Sequence, residues 1–305
     1  MYGSSYYKLE ARRLLSKGYG SALIGTLILL IPSYLINLIS SLFPLTAQGF
    51  LCVSAVSFVF AIFVTNILTV GYYRFLMTYE REETPNTEGS SLKRDYNLIV
   101  SGFTKNFSNT LKVTFMRELY MIGWTLVGLV PLLLFFGFIA FLSYTTDVVS
   151  NVYALFTQAM TSPTTDMIQN LSNYIMTNCP YLPPVMLITF FMSIAASIPA
   201  IMKNYEYVTI PMILADYPDM DVRHAFARTK DIMTGFKMRY FLIQLSFILY
   251  IILAQMIYMI SQSYLIYAIV MLLFNPYMSM TFLRFYRERN NTVEYNISVY
   301  GPHMP

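Results

Sequence analysis

The chain has 305 residues, 56% of them hydrophobic and only 12% charged, with a formal net charge of +4 and a mean hydropathy of +0.52. A soluble domain carries about twice that charged fraction, so a water-soluble enzyme or binding module of this length is excluded. The apolar residues gather in blocks near the ~20 residues that a helix needs to cross a bilayer. The fold class they predict is an all-α polytopic membrane protein.

In chain order, residues 1–18 contain "YYKLEARRLLSK", a short basic amphipathic helix. Six apolar runs follow, at about 19–42, 50–77, 119–144, 182–202, 240–260 and 264–282. They define a membrane domain over 19–289, followed by a polar tail over 290–305. The first run is too long for a cleavable signal peptide and lacks a small-residue cleavage site. Only "SQSY" separates the last two, which predicts a tight antiparallel hairpin.

The basic residues fix the expected orientation. All 20 Lys and Arg fall before the first run, from the end of the second (Arg74) to the start of the third, between the fourth and fifth, or after the sixth. With six spans, every one of them lies on the same side. The opposite side holds Asp147 and Asp166 and no basic residue, which does not suit nucleic acid. By the positive-inside rule both termini are cytoplasmic and the protein belongs in the cell membrane. Cys52 and Cys179 then lie at the outer face, where disulfides persist, and form a candidate bridge. The outer loop, about 145–181, carries two helical apolar stripes separated by "SPTT".

The cytoplasmic linkers are patterned too. In "DVRHAFARTKDIMTGFKM", Val222, Ala225, Phe226, Thr229, Ile232, Met233 and Phe236 recur at helical spacing, and Asp219 or Asp221 can cap the start. Arg223, Arg228, Lys230 and Lys237 take the other face, a candidate surface for anionic lipid headgroups or a membrane-protein partner. Leu92, Tyr96, Ile99, Phe103, Phe107 and Leu111 form a similar stripe before the third span. Each pair of spans thus follows a basic amphipathic helix. Each pair also exits through an aromatic segment: "GYYRFLM" from Gly71, "NYEYVTIPMIL" from Asn204, "NPYMSMTFLRFY" from Asn275. Two readings stand: a threefold internal repeat, or linkers that look alike because they face one lipid surface.

The sequence holds no Gly-rich phosphate loop, no metal-ligand spacing and no nucleophile–base set, so no enzyme and no cofactor is implied. At the end of the fourth span, Lys203 and Glu206 are three residues apart and can pair on one helix face. Pro199 and Pro211 bracket them. These four form a candidate hinge or coupling site, although a long helix end emerging into headgroups is the preferred reading. Asn66, Gln255 and Asn275 would line a polar path if the protein were a transporter.

Four stretches resemble an uncharacterised bacterial membrane family catalogued as domain of unknown function 975. They are "LEARRLLSKGYGSALIGTLILL", "VGYYRFLM", "HAFARTKDIMTGFKMRYFLIQLSF" and "NPYMSMTFLRFYRE". Met233, Gly235 and Lys237 match the family's Met-x-Gly-x-Lys helix ending, and Ile243, Leu245, Ser246 and Phe247 approximate the opening of its next span. Pro199-Ala200 stands where the family often has Pro-Gly. The resemblance implies the architecture and no reaction. The expectation is a non-enzymatic accessory or assembly component of a membrane complex, with a small multi-pass transporter built on Pro-kinked spans as the alternative.

Overall fold

A computed structural model describes residues 3–16, 18–40, 43, 47–81, 95–104, 106–145, 151–155, 157, 165–178 and 180–300, and every regular element among them is helical. Cys179 and the stripe residue Leu92 lie outside the described residues; Cys52 is exposed. Two compact units are formed, one from residues 1–119 and 205–305 and one from 120–204.

The first unit opens with α1 (Ser4–Ser16) and α2 (Tyr19–Ser40). Then α3 (Ala47–Phe60) continues through a π-helical turn, Ala61–Thr65, into α4 (Asn66–Arg81). Next come α5 (Asn97–Thr104) and the start of α6 (Phe107–Thr145). The second unit holds the rest of α6, then α7 (Thr165–Asn178) and most of α8 (Leu182–Tyr207). The chain returns to the first unit with α9 (Ile210–Asp216), α10 (Val222–Met233), α11 (Lys237–Leu245), α12 (Ile248–Ser261) and α13 (Tyr264–Tyr300). Five helices are long and apolar enough to cross a membrane, or six if α11 and α12, bent by 46°, count as one span.

Three expected boundaries move, each for a physical reason. The stripe before the third span is not one helix. Asn106 adopts φ 56, a left-handed value that ends α5 and restarts the helix as α6. The segment at 237–261 is not straight. The Ser246 hydroxyl bonds back to the Ile243 carbonyl, and the Phe247 N–H takes the Gln244 carbonyl, so the regular ladder lapses there. The stretch 290–300 is not a separate tail but the last turns of α13, with Asn290 and Val293 buried.

The core sits at the basic ends of the first unit's helices. Tyr7, Leu14, Phe75, Tyr79, Ile213, Ile232, Met233, Phe285 and Tyr286 are all buried there. Helix α5 lies against α4, α9 also packs on α4, and α1 packs on α13. Gly71 allows the first of these contacts: a Cβ there would fall 1.9 Å from the Ile99 carbonyl oxygen. By contrast, only 6–22% of each apolar span window is buried, which leaves the spans presenting their side chains outward, as a lipid solvent permits. Within the second unit α6 and α8 meet at small residues, where a Cβ on Gly128 would lie 3.1 Å from Ser197 Oγ.

Candidate functional site

The three aromatic exits meet in one charged junction inside the first unit. Glu80 lies in the last turn of α4, α9 ends with Asp216, and Arg284 and Arg287 stand three residues apart on α13, on one face. Arg287 Nε donates to Glu80 at 2.7 Å and its Nη1 to Asp216 at 2.9 Å, so one guanidinium joins all three exits. Arg284 donates to Glu80 at 3.0 Å and to Glu10 of α1 at 3.4 Å. The Tyr286 hydroxyl donates to Asp216 at 2.8 Å. The carboxylate side chains are only 10–14% exposed. Buried acids of this kind persist only when paired, and the planar fork of arginine suits two carboxylates at once. Nearby, Arg74 of α4 donates to the Leu214 carbonyl of α9 at 3.2 Å and to Ser101 of α5 at 3.1 Å.

A second tie holds α10 and α11. Lys237 Nζ donates to Glu206 at 2.6 Å, with the carboxylate side chain 8% exposed. The Thr229 hydroxyl donates to the Glu206 carbonyl at 2.6 Å. Arg228 donates to Asn290 at 2.8 Å and to Glu294 at 3.0 Å, and the Tyr217 hydroxyl also meets Glu294. Asp221, whose carboxylate is held below its usual range by the bond to His224, caps α10 by accepting from the His224 N–H. Gly235 at φ +76 supplies the left-handed turn that ends α10 and lets Lys237 turn back toward Glu206.

These contacts place several residues that the sequence singled out. Glu206 pairs with Lys237 of the following linker, while Lys203 lies over the Trp124 ring at 6.0 Å. Pro199 lies inside α8, and Pro211 sits in the first turn of α9, where the missing N–H costs nothing. Of the candidate lipid or partner surface, Arg223 and Lys230 are exposed, whereas Arg228 and Lys237 turn inward as ties. The apolar stripe of α10 does not rest on lipid: Ala225, Ile232 and Met233 are fully buried in the protein, because α9 and α13 supply a closer-packed partner.

The break between α11 and α12 is itself occupied. Lys8 of α1 donates to the Ser246 carbonyl at 2.8 Å and lies 4.2 Å from the Phe247 ring centroid. A cation at a helix C-terminus satisfies a carbonyl left by the broken ladder and opposes the helix dipole. Nothing in the spacing of Lys8 and Ser246, 238 residues apart, marks this contact.

The polar span residues do not converge. Asn66 donates to Glu118 at 3.1 Å, Gln255 is exposed, and Asn275 accepts from Ser279 at 3.1 Å. Asn275 also borders a largely apolar groove of about 520 Å³ between α2 and α13. Among the described residues no cluster of His, Cys, Asp and Glu has the geometry to hold a metal ion.

Long apolar helices whose basic ends are clamped by buried ion pairs have the build of a multi-pass helical membrane protein. More particularly, the chain belongs to the family described as "Protein of unknown function (DUF975)", whose model matches residues 1–292. No curated protein matches the chain, and neither does any solved structure.

Proposed function

We propose that this is a non-enzymatic accessory or assembly component of a complex in the cell membrane, with six spans and both termini in the cytoplasm. Its partners are the anionic headgroups of the cytoplasmic leaflet and another membrane protein, and nucleic acid is not among them. One observation carries this reading: the buried ionisable groups at the span ends are spent on tying helices together. A catalyst or a proton-coupled carrier keeps such groups free to exchange partners. Arg223 and Lys230, exposed on the face of α10 opposite its buried stripe, are the cations left for docking.

A transporter is the second reading, favoured by the break between α11 and α12, since broken helices recur at transport sites. The two are separated by crosslinking and mass spectrometry of the tagged chain in its native membrane. An accessory component yields a stoichiometric partner crosslinked through α10, and Arg223→Glu with Lys230→Glu releases it without loss of the folded protein. Recovery of the chain alone, unaffected by the double substitution, rejects the accessory role.

A further inference from the structure

Lys8 and Arg12 of α1 face an aromatic wall without a carboxylate among the described residues to balance them. Lys8 and Arg12 are one helical turn apart, and neither pairs with an acid among the described residues. Lys8 is pushed below the usual lysine range, first by burial and then by the neighbouring Arg12. Arg12 lies 5.3 Å from the Tyr277 ring centroid. Behind it, Phe247, Tyr277, Tyr250 and Phe274 form a connected cluster, with centroids 5.3 Å apart for Phe247–Tyr277 and 4.8 Å for Tyr250–Phe274. Arg12, Ser16, Tyr19, Tyr250, Phe274 and Tyr277 border a pocket of about 520 Å³ where α1 and α2 meet α12 and α13. The hydroxyl of Tyr277, on the same wall, is buried beside Arg12.

We propose that this pocket binds one anionic phospholipid, with its phosphodiester at Arg12 and its acyl chains against Tyr19, Tyr250 and Phe274. Charge complementarity selects the occupant. The mouth of the pocket is cationic and uncompensated, its depth is aromatic and apolar, and an anionic lipid presents that sequence of chemistry. The site is distinct from α10, whose apolar stripe is covered by protein. It rests on the reading that the basic helix ends lie at headgroup depth.

The test uses the full chain in nanodiscs of phosphatidylcholine with a minor share of phosphatidylglycerol. The lipids that stay bound on release are read by native mass spectrometry. Phosphatidylglycerol is retained above its bulk share by the wild type. Arg12→Gln lowers that retention about fivefold, the effect of losing one cation near a lipid phosphate, and leaves phosphatidylcholine unchanged. Arg13→Gln removes the same charge from the neighbouring exposed position and keeps the retention. Leu273→Trp, which fills the pocket without altering charge, lowers it. Equal retention by Arg12→Gln and wild type overturns the proposal, as does an equal loss in Arg13→Gln. A photo-crosslink from position 273 that captures a protein in place of phosphatidylglycerol also overturns it. A chain that does not enter the nanodiscs sinks the membrane reading itself, and the lipid site with it.

Discussion

Glu206 and Lys237 show how a polar residue at the foot of a span is stabilised. The carboxylate is almost wholly buried, and the 2.6 Å ammonium contact offsets its loss of water. Removing one partner leaves a buried, uncompensated charge, so Lys237→Met is expected to cost about 3 kcal/mol. Glu206→Gln combined with Lys237→Met is expected to recover most of that loss, since neither charge then remains. Thermal unfolding of the wild type, Glu206→Gln, Lys237→Met and the double variant in detergent gives the coupling energy. Additive costs would mean that the two side chains do not interact. Glu206 stood out in the sequence as a charge at a span end, and Lys237 as part of the Met-x-Gly-x-Lys ending. Their pairing did not, because Lys203 at helical spacing was the nearer candidate and the turn at Gly235 that redirects the chain has no periodic signal.

Among the elements, the break between α11 and α12 is the feature whose cause is most local. The Phe247 N–H leaves the regular ladder for the Gln244 carbonyl, the Ser246 hydroxyl takes the Ile243 carbonyl, and Lys8 takes the carbonyl of Ser246. Lys8→Met is expected to relax the 46° bend toward a straight helix. Spin labels placed through Met238→Cys and Met259→Cys, both exposed, would then report a broader distance distribution with a mean about 2 Å longer, from the ~1.5 Å rise per residue. An unchanged distribution would show that the bend is set by Ser246 and Phe247 alone. The apolar runs themselves were legible because hydrophobicity over about 20 residues is a strong signal. The break was not: "LSF" reads as part of an apolar run, and the cation that stabilises it comes from the other end of the chain. For α10, the stripe predicted the helix and its cap, but a stripe does not say whether lipid or protein will cover it.

At the scale of the molecule, the packed core gathers where the charges are. The aromatic exits looked alike in sequence, and Arg287 joins them through Glu80 and Asp216. Which acid meets which arginine depends on helix rotation and depth, quantities that no spacing rule encodes, so this junction was invisible until the helices were placed. The central claim is that six spans carry this junction to the cytoplasmic side. It is tested most directly by labelling single cysteines with a membrane-impermeant maleimide, in a Cys52→Ser, Cys179→Ser background. Asp231→Cys, Asn291→Cys and Tyr153→Cys each place the thiol at an exposed position. The account predicts that Tyr153→Cys is labelled in intact cells, whereas Asp231→Cys and Asn291→Cys are labelled only after permeabilisation. Labelling of Asn291→Cys in intact cells, with Asp231→Cys still protected, would make α11 and α12 a re-entrant loop and contradict the six-span account.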